Sequence, residues 1–371
     1  MTKLKCRNSL NNIQVHKPSK AVEKIQRELG PNNILRLSAN ENTNGCSPLV
    51  EGALKEYINK LYLYPDGICS EVREILANIY DLKLEQFIFG NGSFEIIELI
   101  AQTFINPQDE SIIPDPSFWW YKTATLKMDG VVVSVPLKDH RVDLKKIADK
   151  ITNKTKIIWL CNPNNPTGTI FKKKELMDFL ESVPKNIILV FDEAYYELVS
   201  DPQYPQTTNL LYKYENIIIL RTFSKVYGLA GLRIGYGIAN KHIIAYLNKI
   251  RMPANVNALA QVAAAASLKD EDFKRKCIES NTVGKQYFYK TFKEMKLEYI
   301  PTETNFIMVN VGKDSTYVAN KILEKGIDVH AGTEFNMPTW LRVTIGRPEE
   351  NKLFIESLRD IVLGSTIRQW Y

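Results

Sequence analysis

The chain has 371 residues, of which 44% are hydrophobic and 24% charged, and its formal net charge is +6. This length predicts a large domain and a smaller one, each burying its own core. Because basic and acidic residues are interspersed along the chain, the small net charge predicts no nucleic-acid partner. No apolar run approaches the roughly 20 residues that cross a bilayer, so we also expect no membrane partner.

The N-terminal residues and the cysteines bear on location. The first residues, MTKLKCRNSLNN, have no apolar stretch behind their basic residues, which argues against a signal peptide. The five cysteines lie far apart and form no C-x-x-C pair. Such spacing is typical of reduced thiols rather than of a disulfide or zinc framework. The sequence therefore predicts a cytoplasmic protein without a metal site.

Residues 1–44 are expected to form an N-terminal arm with a helix at Lys17–Leu29. Over residues 45–252, short β-branched runs alternate with amphipathic segments. The predicted strands are Gln86–Gly90, Glu110–Pro114, Val131–Pro136, Ile157–Cys161, Ile187–Phe191, Ile217–Thr222 and Gly235–Ile238, and the helices between them include Phe94–Phe104, Lys173–Val183 and Lys241–Ile250. This alternation predicts an α/β domain with helices on both faces of a mostly parallel sheet. Residues with chemical roles are then expected at the C-terminal ends of the strands.

The pattern changes after residue 252. A long helical stretch is predicted at Val256–Met295 and a strand at Asn305–Val311. A helix near Ser315–Lys325, a strand at Trp340–Ile345 and a helix from Pro348 follow. This pattern predicts that residues 253–371 form a separate and smaller α+β domain.

The most informative motif is R-T-F-S-K at residues 221–225, with Arg233 eight residues beyond the lysine. The amine of Lys225 can form a Schiff base only when it is deprotonated, and burial near other cations lowers its pKa. Thr222, Ser224 and Arg233 can hold a phosphate dianion through two hydroxyl groups and a guanidinium. A serine–lysine pair alone is common in surface turns, so this prediction depends on the whole segment.

The motif N-P-N-N-P-T-G at residues 162–168 follows the predicted strand Ile157–Cys161. Such a composition often forms only a proline-rich turn. Two asparagine–proline steps at the end of a strand can also hold an amide side chain rigidly above a cleft. Asn165 could then donate a hydrogen bond to the hydroxylate of a bound ring.

The motif F-D-E-A-Y at residues 191–195 follows another apolar strand, so Asp192 would enter a largely buried site. A buried carboxylate needs a cationic partner. A protonated pyridine nitrogen would supply that cation, and its protonation lets the ring act as an electron sink. An aspartate–glutamate pair after a strand can also bind magnesium, but that reading requires a G-x-x-x-x-G-K-[ST] loop, which the sequence lacks.

The turn G-N-G-S at residues 90–93 lies between a predicted strand and a predicted helix. Backbone N–H groups at the start of a helix bind anions. A dinucleotide fingerprint would require a third glycine, which is absent. The turn therefore predicts a phosphate site, with a plain tight turn as the alternative.

These four motifs, in this order and spacing, resemble the fold type I aminotransferases that use pyridoxal 5′-phosphate (PLP), and most of all the histidinol-phosphate aminotransferase family. The resemblance runs from about Leu35 to the C-terminus and includes residues 38–42, 64–67 and 341–346. It implies a fold type I PLP-transferase: a large domain with a mostly parallel sheet sandwiched by helices, and a smaller C-terminal α+β domain. It also implies an enzyme that moves an amino group between an amino donor and a keto acceptor, possibly phosphorylated.

The resemblance also implies roles for single residues. Lys225 would carry PLP as a Schiff base and shuttle the proton, and Asp192 would pair with the pyridine nitrogen. Asn165 and Tyr195 would bind the phenolic oxygen, while Tyr121 would stack on the ring. The residues expected to hold the cofactor phosphate are Gly92, Ser93, Phe94, Thr222, Ser224 and Arg233.

The remaining implied roles concern the second subunit and the substrate. Tyr64 would reach the cofactor phosphate from a neighbouring subunit, which makes the protein a homodimer. Arg342 would clamp the α-carboxylate of an amino acid. His330 and Asn40 would complete the substrate site.

Three residues depart from the family pattern and leave the substrate open. His330 replaces an arginine that meets the substrate phosphate, Ala254 replaces an aromatic residue, and Phe94 replaces an aspartate or alanine. His330 can still bind phosphate, or it can simply pack near the site. Together these departures favour a related amine-bearing or phosphate-bearing metabolite over histidinol phosphate as the substrate. An amino-acid-phosphate decarboxylase on the same scaffold is the alternative activity.

Overall fold

The computed structural model describes residues 6–13, 27, 34–362 and 364. The predicted helix Lys17–Leu29 lies outside these residues, apart from Arg27. The α-helices of the described part are α1 (Pro48–Tyr57), α2 (Ser70–Tyr80), α3 (Ser93–Phe104), α4 (Trp120–Lys127), α5 (Leu144–Ala148), α6 (Lys173–Ser182), α7 (Lys241–Asn248), α8 (Ala258–Leu268), α9 (Glu271–Glu294), α10 (Ser315–Leu323) and α11 (Pro348–Val362). The strands are β1 (Leu35–Arg36), β2 (Phe87–Gly90), β3 (Glu110–Asp115), β4 (Val131–Pro136), β5 (Thr155–Cys161), β6 (Ile188–Asp192), β7 (Ile217–Thr222), β8 (Gly235–Ala239), β9 (Tyr299–Ile300), β10 (Phe306–Asn310), β11 (Ile327–Asp328), β12 (His330–Ala331) and β13 (Trp340–Thr344).

The seven strands predicted before residue 252 form one sheet, in the order β2-β8-β7-β6-β5-β3-β4. Its pairs from β7 to β4 are parallel, and β8 runs antiparallel to both of its neighbours, β2 and β7. The predicted α/β fold with a mostly parallel sheet is therefore confirmed. Because β5, β6 and β7 run in the same direction, their C-terminal ends meet at one edge of the sheet.

Both faces of this sheet are buried, as the continuous apolar runs predict. Along β5, Ile158 and Leu160 belong to one hydrophobic cluster. The alternating residues Ile157 and Trp159 belong to the cluster on the opposite face. Successive side chains of a strand point to opposite faces, so this division shows that packed elements cover the sheet on both sides.

A second sheet of four antiparallel strands, in the order β12-β13-β10-β9, lies in the C-terminal part. Its core includes Phe288 and Phe292 of α9 and Phe354 of α11. The short strand β1 pairs in parallel with β11, and Leu37 joins the same core. Residues 35–37, near the end of the predicted N-terminal arm, are thus packed on the C-terminal unit.

The predicted helical stretch Val256–Met295 consists of two helices rather than one. The Asp270 side chain accepts a hydrogen bond from the N–H of Phe273 and caps α9, which separates α9 from α8. The buried alanines of α8 belong to the core of the large sheet, and α9 reaches both cores. Because α8 packs with the large sheet, we propose that the smaller unit begins within α9, after the boundary predicted at residue 252.

A buried ion pair joins Arg221 of β7 to Glu193, the residue that follows β6. Both Nε and Nη2 of Arg221 donate to the same oxygen of Glu193, at 3.0 and 2.8 Å, and both side chains are fully buried. The Arg221 guanidinium also lies 3.4 Å from the centre of the Tyr196 ring and donates to the Tyr80 hydroxyl. This pair ties β7 to the residue that follows β6.

We expect Arg221→Met to lower the free energy of unfolding by about 3–5 kcal/mol, because it leaves Glu193 buried without its partner. Urea denaturation of the purified protein measures this change. Lys174→Met, in the exposed pair Lys174–Asp178, is the matched control and should show no measurable loss. Equal stability of the Arg221→Met protein and the unaltered protein would contradict the structural role of the pair.

Candidate active site

The C-terminal ends of β5, β6 and β7 open into a cavity of about 460 Å³. This volume lies within the range of small-molecule sites. The start of α3 and the strands β12 and β13 complete the wall. The predicted site residues that line the cavity are Asn40, Gly92, Ser93, Phe94, Asn165, Asp192, Tyr195, Thr222, Ser224, Lys225, Arg233, His330 and Arg342.

Lys225 lies three residues after the end of β7, and its amine points into this cavity. Its Nζ donates to the backbone oxygens of Asn40 and Ala39 at 3.1 and 3.3 Å. Burial, reinforced by the nearby Arg342, lowers the pKa of Lys225 to about 8. About a tenth of the amine is therefore deprotonated at pH 7, far more than for an exposed lysine, and this form is the nucleophile.

Asp192 is the last residue of β6 and is almost completely buried. It accepts hydrogen bonds from the Tyr121 hydroxyl at 2.7 Å and from the Ala194 N–H at 3.2 Å. Burial nevertheless raises the pKa of Asp192 to about 6. A cationic ring nitrogen beside Asp192 would stabilise its ionised form, so this carboxylate fits a pyridine nitrogen that must stay protonated.

The start of α3 and the segment after β7 form a cradle for an anion. Gly92 has a φ of +72°, and a Cβ atom at this position would lie 2.7 Å from Nη2 of Arg233. Ser93 is the first residue of α3, so its backbone N–H has no partner within the helix. The Thr222 and Ser224 hydroxyls are hydrogen-bonded to each other at 3.0 Å on the same wall. Helix N–H groups, hydroxyls and a guanidinium fit the phosphate of PLP.

Arg342 approaches the cavity from β13. Its Nη1 donates to Oδ1 of Asn165 at 2.6 Å, and its Nη2 donates to the backbone oxygen of Ser38 at 2.7 Å. Its Nε is buried and has no hydrogen-bond partner among the described residues. Arg342 lines the cavity, and a guanidinium is well suited to bind a carboxylate or phosphate there.

Asn40 and Tyr195 join this group through a hydrogen bond. The Asn40 amide donates to the Tyr195 hydroxyl at 3.0 Å, and both residues are buried. Tyr195 and Asn165 both line this cavity, and their binding of one ring oxygen stays a prediction.

Tyr121 is not placed where the sequence predicted it. Its ring is fully buried and stacks on Trp159, with centroids 5.0 Å apart, while its hydroxyl bonds Asp192. Phe118 lies on the cavity wall instead. The reason is local: Phe118 precedes α4, whereas Tyr121 lies within α4 on its buried face. Tyr121 donates to Asp192 from outside the cavity lining, and Phe118 lines the cavity.

His330 lies opposite Arg342 in the register of β12 and β13. Its Nε2 is 3.1 Å from a carboxylate oxygen of Glu334, and its ring stacks on Phe335. Both His330 and Glu334 line the cavity. The carboxylate of Glu334, which the sequence did not single out, therefore enters the site beside the histidine.

Tyr64 and Phe94 are placed differently from the other predicted cofactor-binding residues. Tyr64 is 94% exposed and does not line the cavity of a single chain. Phe94 presents its ring to the cavity, so any part it takes in holding a phosphate falls to its backbone at the start of α3. Ala254 does not line the cavity either.

Neither a metal site nor a membrane-crossing helix is present in the part of the chain that the structure describes. No group of three or more His, Cys, Asp or Glu side chains there is placed to hold a metal ion. Nor does any helix in those residues have the length and apolar character needed to cross a membrane.

Together the fold and the site define a PLP enzyme of fold type I, and the comparisons agree. The profile of the family "Aminotransferase class I and II" matches residues 32–358. A crystal structure of histidinol-phosphate aminotransferase from Sinorhizobium meliloti superposes with a TM-score of 0.90, at 23% identity and over 98% of both chains. The chain belongs to the class I and II aminotransferase family and is a PLP-dependent aminotransferase.

Two relatives identify the family more narrowly within the class I and II aminotransferases. The histidinol-phosphate aminotransferase of Caldicellulosiruptor saccharolyticus is 47% identical over 96% of this chain and 99% of its own. That of Moorella thermoacetica is 46% identical over 96% of this chain and 93% of its own. At this identity and coverage, the chain belongs to the histidinol-phosphate aminotransferase family.

The pKa of Lys225 predicts how fast the apoenzyme takes up PLP. Because the amine reacts only when deprotonated, we expect the rate to rise roughly tenfold per pH unit below pH 7 and to level off above about pH 9. Stopped-flow absorbance measures this rate. Arg342→Met removes a neighbouring positive charge and should move the midpoint to higher pH. A midpoint near that of an exposed lysine in the unaltered enzyme would contradict the assignment.

The hydrogen bond from Tyr121 to Asp192 predicts an effect on PLP retention. Tyr121→Phe removes a donor to a buried carboxylate, so we expect PLP affinity to fall by about ten- to a hundredfold. Equilibrium dialysis of PLP measures this loss. Tyr212→Phe removes the hydroxyl of an exposed tyrosine outside the cavity and is the matched control. Unchanged affinity in Tyr121→Phe would show that the bond does not support Asp192.

Proposed function

We propose that this enzyme moves an amino group between histidinol phosphate and a keto acid, and that the residues assembled in the cavity carry out the transfer. The observation that supports this most is that Lys225 shares one cavity with two basic side chains, Arg342 and His330. A phosphate ester and a carboxylate are the two anionic groups that the alternating substrates would present. The curated relatives bear the name of this activity.

When bound, PLP supplies an aldehyde that an amine can attach to and a ring that withdraws electrons from the substrate Cα. Lys225 would hold the cofactor, and a substrate amine would take its place. The free Nζ would then take the proton from the substrate Cα and return it to the carbon of the PLP aldehyde group, as a general base and acid. Asp192 would keep the ring nitrogen protonated, and the Gly92–Ser93 turn with Arg233 would hold the phosphate. Phe118, which lines the cavity, would pack on the ring.

Arg342 orients both substrates. Its guanidinium would bind the α-carboxylate of the amino acid in a bidentate manner. In the other half of the reaction, the same guanidinium and His330, its cross-strand neighbour, would bind the phosphate of histidinol phosphate. Phe335 holds both groups, since it stacks on His330 and lies 5.2 Å from the guanidinium carbon of Arg342.

We further propose a homodimer in which Tyr64 completes the cofactor site of the neighbouring subunit. Tyr64 lies in a stretch where apolar side chains are exposed, including Tyr62 at 83% and Leu61 at 53%. Monomeric proteins seldom expose apolar groups in such a cluster, and a second copy of the chain would cover it. We also infer a cytoplasmic location, because the five cysteines are unpaired, as is usual in a reducing compartment.

A coupled assay of histidinol phosphate with 2-oxoglutarate tests the reaction, and we expect glutamate to form without release of carbon dioxide. Lys225→Ala should lower kcat by at least about a hundredfold, since it removes the general base. Lys276→Ala, at an exposed lysine of α9, is the control. Carbon dioxide release from an amino-acid phosphate, without glutamate formation, would favour the decarboxylase instead.

His330→Gln tests the phosphate subsite. We expect the KM for histidinol phosphate to rise about tenfold, as for the loss of one charged hydrogen bond. The KM for histidinol, which has the same amine and ring but no phosphate, should rise much less. Equal rises for both substrates would assign His330 to general packing rather than to phosphate binding.

A further inference from the structure

Asn305 lies behind the reactive lysine, outside the active-site cavity. It directly precedes β10 in the C-terminal unit, and only 7% of its surface is exposed. It lines a second cavity of about 20 Å³, to whose wall Lys225 also contributes. This cavity has room for about one water molecule but not for a substrate. Any effect of Asn305 on the reaction must therefore pass through another residue.

The Asn305 side chain shares a hydrogen-bond acceptor with Lys225. Its Nδ2 donates to the backbone oxygen of Asn40 at 3.0 Å and to that of Glu41 at 3.3 Å. The same Asn40 oxygen accepts from Nζ of Lys225 at 3.1 Å. A carbonyl oxygen has two lone pairs, so it can accept both hydrogen bonds at once. One backbone oxygen therefore connects Asn305 with the reactive amine.

Asn305 is itself fixed by the sheet of the C-terminal unit. Its backbone oxygen accepts from the N–H of Ile345 at 2.8 Å. The next residue, Phe306, is the partner of Thr344 in the register of β10 and β13. The Thr344 hydroxyl in turn accepts from the N–H of Asn40 at 3.0 Å. Asn40 is thus held at its N–H and at its oxygen by neighbouring residues of one sheet.

The amide of Asn305 acts on the amine as a dipole. Its N–H hydrogens carry partial positive charge and occupy one lone pair of the Asn40 oxygen, so this oxygen stabilises an ammonium group less. Burial lowers the pKa of Lys225, and the charged groups that face its amine are Arg342, Arg233, Glu41 and Asp192. Asn305 therefore acts in the same direction as the two arginines, which favour the neutral amine.

We propose that Asn305 is a positioning residue: by donating to the Asn40 oxygen, it fixes the free amine of Lys225 and favours the neutral form of that amine. This inference rests on the proposed function, in which Lys225 is the general base, but not on the identity of the amino donor. Asn305 does not line the active-site cavity, so its replacement should leave substrate binding by Arg342 and His330 unchanged.

Asn305→Leu tests the inference, because leucine has a similar size but cannot donate a hydrogen bond. In the apoenzyme, competitive acetylation with acetic anhydride, followed by peptide mapping, gives the pH midpoint at which the Lys225 amine becomes reactive. We expect Asn305→Leu to raise this midpoint by about 0.5–1 pH unit, as for the loss of one hydrogen bond. Asn305→Ala, which also lacks the donor, should raise it by a similar amount.

Asn310→Leu is the matched control, since Asn310 lies at the other end of β10 and donates to Glu298 instead. Loss of support for the strand would lower stability in the variants at both positions, but only those at Asn305 should move the midpoint. An unchanged midpoint in both Asn305 variants, or an equal shift in Asn310→Leu, would overturn the inference.

The PLP-loaded enzyme gives a second measurement. Because the neutral fraction of the amine falls, we expect Asn305→Leu to lower kcat at pH 7 by about three- to tenfold. The KM for the amino donor should stay nearly the same. A higher KM with unchanged kcat would assign Asn305 to substrate binding and contradict the positioning role.

The unaltered enzyme, assayed with histidinol phosphate and 2-oxoglutarate, separates the two proposals. A lack of glutamate formation would refute the proposed function, while the acetylation midpoint still decides whether Asn305 acts on the amine. Glutamate formation together with a midpoint that does not depend on Asn305 would refute the inference alone.

Discussion

Burial in one cavity acts in opposite directions on the two groups at the centre of this site. It raises the pKa of the Asp192 carboxyl to about 6 and lowers that of the Lys225 amine to about 8. The first change makes the carboxylate depend on a cationic partner, and the second makes the amine a nucleophile. Both follow from the parallel strands β6 and β7, whose C-terminal ends meet where the sheet leaves room for a ligand.

The segment around Asn40 connects this centre with the substrate end. The backbone oxygen of Asn40 accepts from Lys225, and its side chain donates to Tyr195. The backbone oxygen of Ser38 accepts from Arg342. Asn40 has a φ of +57°, a conformation that asparagine tolerates better than most residues. A short stretch of chain thus fixes the distance between the reactive lysine and the arginine that orients the substrate.

Much of the fold and of the site could be predicted, because polar motifs follow directly after apolar runs in the sequence. The seven predicted strands of the large sheet are confirmed, with ends shifted by no more than two residues. The motifs after β5, β6 and β7 do meet in one cavity, since parallel strands bring their ends together. After Met295, helices α10 and α11 and strands β10 and β13 were also predicted, whereas the two-residue strands β9, β11 and β12 were not.

The errors came from details that a linear pattern does not carry. Tyr121 and Phe118 are three residues apart, and only the start of α4 decides which of them faces the cavity. The break between α8 and α9 depends on one cap, Asp270, between two segments of helical composition. The pair of Arg221 with Glu193 joins residues 28 positions apart and became visible only when β6 and β7 were paired.

The central claim is that Lys225 is the residue that binds PLP covalently. Reduction of the PLP-loaded enzyme with borohydride converts a reversible lysine linkage into a stable one, and peptide mapping by mass spectrometry then identifies the labelled residue. The structure predicts a single label on Lys225. A label on another lysine, or its persistence in the digested Lys225→Ala protein at the same yield, would contradict the account.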